Sequence, residues 1–326
     1  MTDRWKRLAL AVFLLAALLF ILLALQGQWS AFAELGRSKS GTWIARPGWL
    51  LAALGLGTVN LLGMAALWTW LARRLGEDIR YPEGVAAWVG SNLGRYIPGK
   101  VWQLAGLATF MRGTGRSGSV ALVSALVFQI VVLVSGIAAA LLTLGNRIGE
   151  AFGGSILLPV GLAVALALTL HPTILRRATA ALAKLLREDG PAVSSLIERE
   201  RPAGGAYSWM LGVALLLAWW VYGAGLWFLV AGVSEAPVSD IRTLTGIFAA
   251  SYVAGYLAIV TPGGLIVREG AMTLLLTAAT PLPAAAAVGI AVLARLWTIA
   301  SELAAFGIAV LMRGGLGKGE THPDDA

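Results

Sequence analysis

The sequence predicts an all-α polytopic membrane protein: six full transmembrane helices plus two Pro-Gly-broken re-entrant hairpins, arranged as inverted repeats. Three observations predict it. First, the chain is 58% hydrophobic and only 13% charged, with a mean hydropathy of +0.78. A soluble domain runs about 45–50% apolar and about 25% charged. Second, several apolar runs exceed the roughly 18 residues that mark a membrane span. Third, two apolar runs, one in each half, are interrupted by Pro-Gly with a cation just after it. The first reads Gly94-Arg95-Tyr96-Ile97-Pro98-Gly99-Lys100-Val101-Trp102; the second reads Thr261-Pro262-Gly263-Gly264-Leu265-Ile266-Val267-Arg268-Glu269-Gly270. Broken helices at corresponding places in two halves are the sequence pointer to a transporter's binding site.

In chain order, Arg4, Lys6 and Arg7 precede an apolar run at 8–25. Ala31-Phe32-Ala33 resembles a cleavage site, but the run is longer than the usual 7–15 residues of a signal peptide, so an uncleaved first span is expected. Spans are then expected at 49–72, 120–144, 155–170, 207–231 and 284–312. The segments 85–110 and 241–280 are the broken elements. The arms of 85–110 are too short for a hydrocarbon core of about 30 Å at about 1.5 Å per residue, so a hairpin returning to its own side fits better. The first arm of 241–280 is longer and reaches most of the way across. Residues 173–187 are amphipathic, with Ile174, Leu175, Ala178 and Leu182 on one face and Arg176, Arg177, Lys184 and Arg187 around the rest. Such a segment reads as an interfacial helix or as a basic cytoplasmic connector. One membrane domain, 1–313, is expected, with repeats at about 49–144 and 207–312 and a polar cytoplasmic tail at 314–326.

The cations orient these elements. Of 25 Lys and Arg, Arg95, Lys100, Arg268 and Arg295 lie within apolar runs. With a cytoplasmic N-terminus, Arg37, Lys39, Arg46, Arg147 and Arg242 fall outside and the other sixteen inside. Because Lys and Arg concentrate in cytoplasmic loops, both termini are expected to be cytoplasmic in a bacterial cytoplasmic membrane. The first hairpin then opens inward and the second outward, which makes the repeats inverted. The same rule accounts for the net charge of +8 without nucleic acid.

Chemistry is expected at the breaks. Proline removes a backbone donor and glycine permits the turn, so a new helix starts after each Pro-Gly with unpaired N–H groups and a positive dipole end. Such an end attracts an anion, phosphate above all. Asn92, Arg95, Pro98, Gly99 and Lys100 mark the first half of the candidate headgroup site. Pro262, Gly263, Gly264, Arg268 and Glu269 mark the second, and Arg295 and Glu302, two turns apart on the last span, complete it. An intramembrane charge costs about 2.5–3.5 kcal/mol on insertion scales, which makes each a functional hypothesis. The expected network pairs Glu269 or Glu302 with Arg295 and leaves Arg95, Lys100 and Arg268 for a phosphate, which arginine binds bidentately. The rival readings are snorkelling for Arg95 and Lys100, and fold-holding neutralisation for Arg268 with Glu269. Asn92, Tyr96, Trp102 and Gln103 read as cavity lining or as polar glue between helices, Tyr252 and Tyr256 as packing.

Enzymatic chemistry finds little support. There are no cysteines, His171 and His322 lack a metal-ligand spacing, and no P-loop or nucleophilic triad is present. No cofactor or catalytic residue is expected.

Asn92 with Arg95-Tyr96-Ile97-Pro98-Gly99-Lys100-Val101-Trp102, followed by Thr261-Pro262-Gly263-Gly264-Leu265 and Val267-Arg268-Glu269-Gly270, resembles the flippase-like transmembrane region of the lysylphosphatidylglycerol synthase family. The resemblance spans the membrane portion. It departs from the usual Pro-Gly-Gly-Leu-Gly pattern at Ile266, which occupies its last glycine. The chain ends soon after Met312, so the soluble aminoacyl-transferring domain and its activity are not expected; a stand-alone member is. The resemblance implies translocation of an anionic phospholipid or a polyprenyl-phosphate-linked lipid between leaflets. One alternative is a non-catalytic membrane partner of an envelope glycosyltransferase or lipid-modifying enzyme. Another is a small-solute secondary carrier.

Overall fold

The computed structural model describes residues 44–96, 101–151, 177, 181, 206–234, 240–258, 264 and 266–316. The expected spans 8–25 and 155–170, nearly all of the amphipathic segment 173–187, residues 317–326 of the tail, and Pro98, Gly99, Lys100, Pro262 and Gly263 lie outside the described residues. The chain is a multi-pass, all-helical membrane protein. Its helices are α1 (Pro47–Arg74), α2 (Tyr81–Asn92), α3 (Val101–Gly113), α4 (Gly118–Ala151), α5 (Ala206–Val233), α6 (Ile241–Leu257), α7 (Val267–Ala279) and α8 (Ala284–Leu316), with a 3-10 turn, Leu93–Tyr96, closing α2. Among the described residues, four stretches are long and apolar enough to cross a membrane: Pro47–Arg74, Gly118–Gly145, Trp209–Val233 and Ala284–Met312.

The short helices are the interrupted ones. α2, α3, α6 and α7 hold 12, 13, 17 and 13 residues. At about 1.5 Å per residue each falls short of a core of about 30 Å. The first arm of the second element, expected to reach most of the way across, ends at Leu257. Ala258 caps that helix, and α7 starts at Val267.

Local chemistry sets the ends. Pro47 occupies the first turn of α1, where its missing N–H goes unnoticed. Arg73 and Arg74 close the helix beside its negative dipole end. Arg73 Nη1 donates to Ile79 O at 2.6 Å and Arg74 lies over the Trp70 ring at 5.4 Å. Asp240 caps α6, accepting from Thr243 N at 2.8 Å and from Thr243 Oγ1 at 3.0 Å. Across the first unit, Arg116 Nη2 pairs with Glu83 Oε2 at 2.8 Å and Ser117 N donates to Glu77 Oε1 at 3.3 Å. These bonds tie the start of α2 to the end of α3. Burial holds the Glu77 carboxyl above its usual range, against the pull of the Ser117 N–H.

Packing follows one rule twice. Exchange α1, α2, α3 and α4 for α5, α6, α7 and α8, and each closely packed helix pair maps onto another. α1·α2 corresponds to α5·α6, α4·α6 to α8·α2, α1·α8 to α5·α4, and α3·α4 to α7·α8. α1 and α5 exchange with each other and run in opposite directions. Arg46 N donates to Gly232 O at 2.9 Å and Arg46 Nη1 to Ala231 O at 2.8 Å, while Trp49 packs on Trp227 and Phe228 at 5.4 Å. Aromatic rings fill the centre. Trp68 stacks on Trp88 at 5.1 Å, and Trp88 meets Phe128 edge-on. Tyr222 stacks on Phe248 at 4.7 Å beside Trp297. The buried indole N–H groups are satisfied: Trp68 by Ser124 Oγ, Trp219 by Ser135 Oγ and Trp297 by Ala53 O.

Candidate functional site

The two interruptions meet against the middle of α8. Arg95, in the 3-10 turn after α2, forms an ion pair with Glu302. Arg295, two turns earlier on α8, lies 3.6 Å (Nη1 to Oε1) from Glu269 in the first turn of α7. The Tyr96 ring lies between these systems, with the Arg95 guanidinium 5.4 Å and the Arg295 guanidinium 5.3 Å from its centroid. One of the two expected pairings for Arg295 is therefore the observed one. The other carboxylate, Glu302, neutralises Arg95, which corrects the expectation that Arg95 is left over.

Arg268 is placed by backbone contact. Gly264 has φ +70°, a conformation glycine adopts freely, and a Cβ there would fall 2.5 Å from Gly255 O. A Cβ on Gly255 would in turn fall 2.7 Å from Arg268 Cβ. Missing side chains thus let the start of α7 press onto the end of α6. Arg268 is only 8% exposed, with its guanidinium over Phe248 at 5.0 Å and Tyr252 at 5.7 Å. Among the described residues its Nη2 finds no hydrogen-bond acceptor, and Glu269 Oε1, Glu269 Oε2 and Glu302 Oε2 find no donor. Three buried or half-buried guanidiniums thus face two carboxylates. In a low-dielectric interior that excess positive charge is unfavourable unless an anion meets it.

A cleft of about 530 Å³, counting its open mouth, lies at this point. Arg95, Gln103, Tyr252, Gly264, Arg268 and Arg295 line it. Gln103 is in the first turn of α3 and Arg268 in the first turn of α7, so the cleft sits between the N-terminal turns of the helices that resume after the breaks. A second cleft of about 480 Å³ adjoins it and shares Arg95, Gln103, Tyr252 and Tyr256.

Of the expected site residues, the structure gathers Arg95, Gly264, Arg268, Glu269, Arg295 and Glu302 around the first cleft, and Asn92 against the second, where Gln103 Nε2 donates to Asn92 Oδ1. Trp102 is 47% exposed and lines neither cleft. Tyr252 and Tyr256, read from sequence as packing, line both, and Gln129 lines the second. The tyrosines' spacing of four, on a helix ending at the break, is the signal that could have found them.

This arrangement defines the class: a polytopic helical membrane protein with a cation-rich cleft between two interrupted helices. The chain belongs to the lysylphosphatidylglycerol synthase TM region family, whose family model matches residues 8–305. No curated protein and no solved structure matches it. Membership makes the protein membrane-associated and lipid-related, and the match covers both interruptions.

Proposed function

We propose that this protein is a lipid flippase-like transporter that moves a phosphate-bearing anionic lipid between leaflets. The observation that carries the reading is Arg268: a buried guanidinium with an unmet donor, at a cleft between two helix N-terminal turns, in a cluster with more cations than carboxylates. A headgroup phosphate supplies the missing charge and accepts hydrogen bonds, while the acyl or prenyl chains remain in lipid.

The two short-armed pairs are read as re-entrant hairpins entering from opposite faces, and the two four-helix units as inverted repeats. The antiparallel packing of α1 on α5 supports this, because an in-plane two-fold axis turns equivalent helices head to tail. Among described residues, Arg73, Arg74, Arg80, Arg112 and Arg116 lie at one end of the bundle and Arg46 and Arg242 at the other, which supports a cytoplasmic first end and a bacterial cytoplasmic membrane. The protein acts without catalysis of its own in this reading. The test is lipid translocation in reconstituted vesicles. Wild type should scramble or flip a fluorescent phosphate lipid, and Arg268→Ala and Lys100→Ala should slow it at least tenfold. Unchanged rates in both variants would refute the site.

A further inference from the structure

The first cleft is walled by cations but not by their carboxylates. Arg95, Arg268 and Arg295 line it, whereas Glu269 and Glu302 do not. An anion in the cleft therefore competes with Glu302 for Arg95 and with Glu269 for Arg295. The two contests are unequal. Arg95 pairs closely with Glu302, and the two arms of its interruption are also tied to each other by the Gln103–Asn92 bond. Arg295 Nη1 stands 3.6 Å from Glu269 Oε1, beyond hydrogen-bond distance, and among the described residues neither Glu269 oxygen has a donor. That contact is Coulombic and lacks the hydrogen bonds that make a buried pair strong. The chain beside it is already strained: Ile266, the residue before α7, has φ +72° and makes no side-chain cap bond.

We infer that the Arg295–Glu269 contact is a clip released by the ligand: an anion in the first cleft takes Arg295 from Glu269, and the start of α7 comes away from α8 while the Arg95–Glu302 pair holds. This rests on the phosphate reading above and adds which half of the molecule responds. The anion offers Arg295 charge-assisted hydrogen bonds that Glu269 does not supply. Glu269, only 8% exposed, is then an unpaired buried carboxylate, and its desolvation cost drives it toward water. It lies in the first turn of α7, so the helix start moves with it, and the movement lets Ile266 leave its positive φ. The turn that closes α2 keeps its own carboxylate on α8 and stays in place.

Hydrogen exchange of the purified full-length protein in detergent, read by mass spectrometry on peptides covering 81–96 and 267–279, tests the clip. The probes are dihexanoyl phosphatidic acid, inorganic phosphate and dihexanoyl glycerol, with binding followed separately by titration calorimetry. A ligand ordinarily protects the helix it touches. Here phosphatidic acid should instead raise exchange at 267–279 by about tenfold, the worth of one charged contact, and leave 81–96 unchanged. Glu269→Gln should show the raised exchange with no probe, and phosphatidic acid should add little to it. Phosphatidic acid that binds wild type yet protects 267–279, leaves it unchanged, or loosens both segments alike overturns the proposal. So does a folded Glu269→Gln with wild-type exchange. A response to inorganic phosphate as large as that to phosphatidic acid keeps the clip and removes the lipid from the reading. Failure of the phosphate reading is separate: phosphatidic acid then binds wild type no better than dihexanoyl glycerol, and the trigger falls with it.

Discussion

The first interrupted pair ends in an arginine that has its own carboxylate; the second begins with an arginine that has an unmet donor. Arg95 reaches Glu302 across to α8, whereas Arg268 lies against the faces of Phe248 and Tyr252 with Nη2 lacking an acceptor. Around both, the same helix pairs pack against one another, though not equally closely. Two similarly packed halves thus carry unequal chemistry. One break is held by an ion pair, and the other keeps a cation available.

The sharpest way to break this comparison is to remove the carboxylate that distinguishes the first half. Glu302→Gln leaves Arg95 as an uncompensated cation in the interior, and losing one partner of a buried pair costs about 3 kcal/mol or more. Denaturant unfolding in micelles should show that loss. The arginines should also become more alike, with anion affinity rising as stability falls. Arg268→Ala is the opposite experiment. No ion pair of the Arg95 kind is broken, so stability should change by less than in Glu302→Gln. Affinity for a phosphate lipid should fall about tenfold to a hundredfold, the worth of a charge-assisted hydrogen bond. If both variants lose stability equally, the distinction between a structural and an available arginine is wrong.

A third test concerns the turn. Ile266 has φ +72° and ψ −48°, the only non-glycine with positive φ among the described residues, and is 78% exposed. A β-branched side chain in that region carries about 1–3 kcal/mol of strain. Ile266→Gly buries nothing less and relieves that strain, offset by the larger chain entropy of glycine. A net stabilisation of about 1 kcal/mol in thermal unfolding is expected.

The smallest effect is at the far end of α6. Asp240 caps that helix, whereas Arg80 before α2 makes no side-chain cap bond. Asp240→Ala should cost about 0.5 to 1 kcal/mol. The Thr243 N–H bond holds the Asp240 carboxyl below its usual value. Its contribution is therefore present above the ordinary carboxylate pKa and is lost as pH falls through the lowered one. Glu77 has the opposite sign, since burial raises it: its contribution is full at low pH and fades as pH rises through the raised value. The wild-type minus Asp240→Ala stability difference, followed by unfolding from pH 6 down to 3, should shrink.

Much of the fold was legible because each of its signals is local. Apolar run length placed α1, α4, α5 and α8, and Pro-Gly within apolar sequence placed both interruptions. The lengths of the arms were less legible. Nothing local in 241–280 shows that α6 ends at Leu257, several residues before Pro262, or that Gly264 lies against Gly255. Ile266 was flagged by its departure from the family pattern, but its positive φ is visible only in the folded turn.

For the candidate site the division is similar. Sequence alone singled out four cations in apolar runs, because such charges are costly and conspicuous whatever their neighbours. It also determined that Arg295 and Glu302 share a face, since helical spacing requires it. Only the tertiary structure decided which carboxylate meets which arginine. Glu302 is seven residues from Arg295 yet pairs with Arg95, more than two hundred positions away, because α2 packs against α8. Ion pairing depends on distance in space, and helix packing between the two halves sets that distance. The same packing turned Tyr252, Tyr256 and Gln129 from ordinary interior residues into the walls of a cleft.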